Sequence, residues 1–339
     1  MKSNILKLSV VLALLVGILA ACGGQGNTGE KSTGGGDKKE VKIGYFPNLT
    51  HMATIVALEK GYFAEEFGKD VKITRKTVSN GGLFMEAMAT KTIDIGTVGP
   101  GPVLNFYAKD PSYRILSGAV NGGAVLVASE KSGVKDLKDL DGKKVAIPVI
   151  GSTQDVMLRK ALQEVGLKPT VNGGTVKLVA AAPADTATLF VQNSVDAAAT
   201  QEPWGYILET QTKGKLLLDW DKFAWGKDST NTVVTARKDF LENEDLVKAY
   251  LKAHVKAVNF IKENPEESKK LLASHLKGLT GKEINEDELN AAFSRLEVTT
   301  AVNENVIQEM ADISKEAKYI PSNDIKGLVD LKYLEEVNK

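Results

Sequence analysis

The chain has 339 residues, with 43 basic and 43 acidic side chains, three histidines and one cysteine. A formal charge of zero argues against a nucleic-acid partner, which would want a basic surface, and a lone cysteine excludes an internal disulfide. In chain order, Lys2 and Lys7 open a basic N-terminus, residues 8–21 form an apolar run too short to span a bilayer, and Leu19, Ala20 and Ala21 lead into Cys22. Residues 23–39 are rich in Gly, Ser and Thr without a large apolar side chain, a composition that cannot offset the entropy of ordering.

The run into Cys22 resembles a bacterial lipoprotein signal. The resemblance implies removal of residues 1–21, lipidation of Cys22, and a flexible tether over 22–39. The protein is then expected at the extracytoplasmic face of the cell membrane, held by acyl chains. Loss of Lys2 and Lys7 leaves 41 basic against 43 acidic side chains, a charge of about −2. Past the signal no apolar run reaches membrane-span length. The remaining body is long enough for two lobes.

Short β-rich runs alternate with helical ones through that body, which predicts an α/β fold with mixed sheets flanked by helices. Residues 41–45 read as a strand, followed by a helix to Gly61 that Asn48 or Thr50 would cap. Strands are expected at 71–78, 93–98, 113–119 and 123–128, with helices opening at Gly81 and at Pro100. The plan then repeats. Residues 144–147 read as a strand and 153–165 as a helix stopped by Gly166. Strands at 176–180 and 195–200 alternate with helices at 185–192 and 203–210. Residues 92–101 can be laid over 194–203, which suggests two units built to one plan. Beyond Leu241 the chain reads as helical, at 243–263, 286–296, 303–318 and 324–337, with a break at Asn264 and Pro265.

Enzymatic constellations are poor. His51, His254 and His275 have no zinc-ligand spacing, and neither a nucleophile elbow nor a phosphate loop of the Walker type occurs. No catalytic role, metal or cofactor is expected. What recurs is a small polar or Gly-rich turn between a strand and a helix. There are five, built on Asn48, Thr50 and His51; on Gly81 and Gly82; on Gly101; on Ser152, Thr153 and Gln154; and on Glu202 and Trp204. In open α/β sheets ligands sit beyond the carboxyl ends of strands, where helix N-termini present free N–H groups and partial positive charge. Together the turns point to a small-anion site, with Ser152 and Thr153 as leading contacts. Asp155 stabilises its helix dipole, Glu202 either meets an amino group on the ligand or caps its own helix, and Trp204 either walls the cleft or packs in a core.

Residues 41–45 (VKIGY), 57–63 (ALEKGYF), 93–96 (IDIG), 139–146 (DLDGKKVA), 151–153 (GST), 183–185 (PAD) and 202–204 (EPW) stand in an order that resembles the substrate-binding proteins of bacterial ABC importers for sulfonate, taurine and nitrate, in the aliphatic-sulfonate branch. The resemblance implies a two-lobed periplasmic-binding-protein fold of the two-crossover type. Residues 40–123 with 230–339 would form lobe I and 124–229 lobe II, closing around the ligand. It adds Asn121, near the first crossing, to the ligand contacts. It implies a monomer that hands a small organic anion, with an aliphatic sulfonate favoured, to an ABC permease and its ATPase. Nitrate, bicarbonate, taurine or a thiamin-precursor pyrimidine are the alternative ligands, and a sensor feeding a signalling partner is the alternative role.

Overall fold

The computed structural model describes residues 39–281 and 283–339, so the signal, Cys22 and the tether lie outside the described residues. The body begins with β1 (Lys39–Tyr45), α1 (Met52–Glu59), α2 (Tyr62–Phe67), β2 (Val71–Thr77), α3 (Gly81–Ala89), β3 (Ile95–Val98), α4 (Pro100–Tyr107) and β4 (Tyr113–Gly122). It continues through β5 (Ala124–Ala128), β6 (Lys144–Ile147), α5 (Thr153–Glu164), β7 (Lys177–Ala180), α6 (Thr186–Val191), β8 (Ala197–Gln201), α7 (Trp204–Thr212) and β9 (Lys215–Leu218). The chain closes with β10 (Thr230–Arg237), α8 (Glu244–Glu263), α9 (Pro265–Thr280), α10 (Glu286–Ser294), β11 (Leu296–Val298), α11 (Glu304–Glu316) and α12 (Lys332–Val337).

The strands form two mixed sheets, one in the order β11-β4-β10-β3-β1-β2 and the other in the order β7-β6-β8-β5-β9. In each, three parallel strands are joined by an antiparallel strand, β10 beside β3 and β5 beside β8. The chain crosses between sheets twice, at Gly122 and Gly123 and again between β9 and β10.

Local chemistry accounts for the helix starts. Asn80 Oδ1 accepts from the N–H of Leu83, Ser152 Oγ from that of Asp155, and Pro100 occupies the first turn of α4, where no N–H is required. Burial then fixes the faces. Helices α1, α2 and α8 cover one side of the six-stranded sheet around Tyr45, Phe63 and Tyr250, while α3, α4 and α11 cover the other around Phe84, Leu104 and Met310. The five-stranded sheet packs on α5 through Met157, Leu158 and Leu162, and on α6 and α7 through Phe190 and Leu208. Each such buried side chain contributes roughly 1.5–3 kcal/mol by leaving water.

The sequence reading missed the short elements α2, β9 and β11, took Pro265 as a break where it opens the 16-residue helix α9, and overextended the last helix. Residues 324–331 are not helical. The N–H of Ile115 donates to Leu328 O at 2.8 Å and that of Asp330 to Ile115 O at 2.9 Å, so this segment bridges to β4 before α12 begins. A helix there would leave those β4 groups without partners.

Candidate functional site

The two sheets bring equivalent turns face to face. Ile43 pairs with Ile95 and Val145 with Ala197, each residue of the second pair lying 102 positions after its counterpart. The Lys42 N–H donates to Asp94 Oδ2 at 2.9 Å, and the Lys144 N–H donates to Asp196 Oδ2 at 2.8 Å. The turn after β1 therefore matches the turn after β6, which makes Thr50 and His51 the counterparts of Ser152 and Thr153. Between them lies a small cleft that opens to solvent.

Of the residues expected to bind, the structure gathers Thr50, His51, Gly81, Ser152, Thr153 and Gln154 in this cleft. Asn48 stands behind it, its Oδ1 accepting from the N–H and hydroxyl of Thr50 at 3.0 and 2.8 Å. Gly101 supports Thr153, its N–H donating to Thr153 Oγ1 at 3.2 Å. A Cβ on Gly99 would stand 2.3 Å from that oxygen, and glycine there lets the two halves touch. Gly82 faces a neighbouring depression with Ile150 and Tyr319.

Three expected contacts lie elsewhere. Asn121 lines a separate surface pocket with Asp228 and Asn303, because residues alternate in direction along β4. Trp204 faces an apolar groove with Ile207, Leu276 and Ile284, since the first turn of α7 points away from the cleft. Glu202 is fully buried; its Oε1 accepts from Arg295 Nη1 at 2.9 Å and its Oε2 from the N–H of Tyr206 at 3.1 Å. Both oxygens are engaged by the protein, which corresponds to the structural alternative for this residue. Burial pushes the Glu202 carboxyl upward, and the Arg295 guanidinium opposes that shift.

Phe46, Gln201, Asn231 and Thr232 also line the cleft; the sequence placed Gln201 in the fifth turn without naming it a contact and gave the other three no place in the site. Gln201 carried a signal, because it is the equivalent of Gly99 by the same spacing of 102 residues. Asn231 had none of that kind; it enters only because β10 returns beside β3.

The cleft is electrically neutral in its lining, with no Lys, Arg, Asp or Glu among the described residues that form it. His51 shares a 2.8 Å hydrogen bond between Nδ1 and Thr97 Oγ1, and its ring centroid lies 4.3 Å from that of Phe46. Burial lowers its pKa to about 3, so the imidazole is uncharged at neutral pH. Asp155 turns away from the cleft, accepting from the Gly151 N–H at 2.8 Å, the Tyr319 hydroxyl at 2.6 Å and Arg159 Nε at 3.0 Å. Ser152 Oγ and Thr153 Oγ1 each accept one backbone N–H, which leaves each hydroxyl proton to donate. The amides of Gly81, Gly82, Thr153 and Gln154 belong to first helical turns, where no carbonyl four residues earlier takes them. The arrangement can hold a small ligand by many neutral donors and two helix dipoles, without a formal countercharge.

The chain is 29% identical over 336 residues to a Bacillus subtilis (strain 168) protein named for the binding of aliphatic sulfonates, covering 96% of this chain and 95% of that one. It is 28% identical to the taurine-binding periplasmic protein of Escherichia coli (strain K12), over 62% of this chain and 63% of that one. Its fold matches that of the alkanesulfonate-binding protein SsuA from Xanthomonas axonopodis pv. citri bound to MOPS, with a TM-score of 0.73 at 19% identity, covering 87% and 99% of the two chains. The architecture is thus the two-lobed periplasmic-binding-protein fold, built on mixed sheets flanked by helices. Residues 34–276 match the description of one family across both sheets, and the chain belongs to the NMT1-like family.

Proposed function

We propose that this chain is a non-enzymatic, lipid-anchored solute-binding protein that captures a small organic anion, an aliphatic sulfonate, and delivers it to an ABC permease with its ATPase. The observation that carries the reading is the meeting of the α3 and α5 N-termini, with the Ser152 and Thr153 hydroxyls, in a cleft without a lining cation. Helix ends and neutral donors suit a weakly basic monoanion with three acceptor oxygens; a dianionic phosphate would need countercharge. Residues 40–123 with 230–339 would act as one lobe and 124–229 as the other, closing on the ligand as rigid bodies. The basic and apolar run ending at Cys22 supports anchoring outside the cytoplasmic membrane.

A second reading, a neutral thiamin-precursor pyrimidine, is favoured by one feature. The Phe46 and His51 rings offer a stacking wall, and the buried Gln201 Oε1 has no hydrogen-bond partner among the described residues. Thermal unfolding of the full chain carrying Cys22→Ser separates the two, with alkanesulfonates, taurine, nitrate, bicarbonate and the pyrimidine as ligands. Ligand at a hundred times its dissociation constant adds about 2.7 kcal/mol and raises Tm by several degrees. A shift with sulfonates supports the anion reading, and a shift with the pyrimidine alone overturns it. Ser152→Ala combined with Thr153→Ala should weaken sulfonate binding at least about tenfold; unchanged affinity would move the site elsewhere. For the anchor, Cys22→Ser should release the protein from membranes, and continued retention would defeat that assignment.

A further inference from the structure

The chain leaves the six-stranded sheet at Gly122 and Gly123, both in the left-handed region with φ of 69° and 73°. Three hydrogen bonds close a ring on Gly123. Its N–H donates to Arg295 O at 2.7 Å, its carbonyl accepts from the Glu202 N–H at 2.8 Å, and Arg295 Nη1 donates to Glu202 Oε1 at 2.9 Å. Arg295 stands directly before β11, on the six-stranded side, and Glu202 directly after β8, on the five-stranded side. The same guanidinium reaches Glu209 of α7 at 2.5 and 3.3 Å and Asp219 beyond β9 at 3.4 Å. One cation therefore gathers three carboxylates, all from the half built on the five-stranded sheet.

The ring connects to the cleft on both sides of the crossing. Gln201, next to Glu202, lines the cleft. On the other side the Gly122 carbonyl accepts from Asn231 Nδ2 at 2.7 Å, and Asn231 Oδ1 accepts from Gln154 Nε2 at 3.1 Å; both Asn231 and Gln154 are cleft residues. A rotation of one half against the other about Gly122 and Gly123 must alter the geometry of the Arg295 contacts, of which those to Glu202 and Glu209 are short, directional and largely shielded from water.

We propose that Arg295 is a positioning residue for ligand capture, which sets the angle between the two halves through Glu202, Glu209 and Asp219 and so presents Gln201 and Gln154 to the ligand. Arg295 lines no part of the cleft and acts through the carboxylates it holds. The proposal rests on the cleft being the ligand site, but its first readout needs no ligand.

The test places nitroxide labels at Lys76→Cys and Lys177→Cys, on the outer strands of the two sheets, in the full chain carrying Cys22→Ser. Arg295→Gln should broaden the distance distribution between labels in ligand-free protein while circular dichroism stays native. The dissociation constant for pentanesulfonate should rise at least tenfold, and Arg295→Lys should recover part of both losses. A folded Arg295→Gln protein with the parent distribution and the parent affinity overturns the proposal. If pentanesulfonate fails to bind the parent, the sulfonate reading falls, and the label distances alone decide the role of Arg295. Should Arg295→Gln not fold, Glu209→Gln removes one partner at the rim of the cluster, where a broadened distribution supports the proposal and an unchanged one overturns it.

Discussion

The two sheets share one strand plan yet differ at equivalent positions. Where β1 and β3 pair Gly44 with Gly96, β6 and β8 pair Ala146 with Ala198. A Cβ on Gly44 would lie 2.6 Å from both Phe84 and Ile93, and one on Gly96 would lie 2.0 Å from the Gly44 carbonyl oxygen. Large side chains press onto the first sheet at Gly44 and the neighbouring backbone closes in at Gly96, so only glycine fits at either position. The second sheet carries alanine because its cover is lighter, two short helices presenting Phe190 and Leu208. The aspartates differ likewise. Asp94 is buried and paired with Arg237, which also bonds the carbonyls of Met88 and Ile93, whereas Asp196 holds the Lys144 amide near the surface. One plan thus yields a densely packed half and a lighter half, and both supply the cleft, the first with Phe46, Thr50 and His51 and the second with Ser152, Gln154 and Gln201.

Substitution can break that asymmetry. Gly96→Ala should cost about 3 kcal/mol or more, because the added methyl meets backbone that cannot yield, whereas Ala198→Gly should cost only about 1 kcal/mol. Urea unfolding of the two variants checks this, and equal losses would contradict the packing argument. Asp94→Ala should cost about 3 kcal/mol by leaving Arg237 short of a buried partner. Its counterpart Asp196→Ala loses one backbone hydrogen bond, about 1 kcal/mol. Midpoint shifts of similar size would show that burial does not distinguish the pair.

Acid sensitivity should also sit in the denser half, which holds all three histidines. Burial lowers His51 to about 3 and His254 to about 4. The unfolded chain binds protons below about pH 6.5 that these folded imidazoles refuse, so their stabilisation is complete above that pH and is lost as pH falls toward 4 and 3. Each contributes a loss of about 2 kcal/mol between pH 6.5 and 5. Denaturation curves for His254→Gln should show a shallower acid slope than the parent, and an identical slope would remove His254 from the account. The smallest expected effect is at the caps. Asn80→Ala and Ser152→Ala should each cost about 1 kcal/mol of stability, and because both residues line the cleft each should also lower ligand affinity.

Much of this was legible in the sequence where the signal is local. The Asn48 cap, the proline opening α4 and the alternation of strands with helices are written in neighbouring residues, whereas the caps at Asn80 and Ser152 emerged only from the structure. The repeat relating Asp94 to Asp196 was visible as well, and the structure gives it a shared hydrogen bond to the backbone of the adjacent strand. What was not legible depends on long-range pairing. Asn231 reaches the cleft because β10 inserts beside β3, and Arg295 meets Glu202 across 93 residues of chain. Trp204 was misplaced because a turn that closes on the cleft at Gln201 turns its next side chains outward.

The return of residues 328–330 to β4 has a bearing on association between molecules. Beta-strand β4 is met by β11 at one end and by Val329 at the other, so its outer side offers little free backbone. The opposite margin of that sheet is β2, whose exposed, charged Lys72 and Arg75 discourage another strand from adding there. A chain ending before Leu328 would uncover the Ile115 amide and carbonyl in the middle of an apolar strand. Its expected defect is self-adhesion through exposed strand edge, appearing as concentration-dependent aggregates while the cleft itself stays intact.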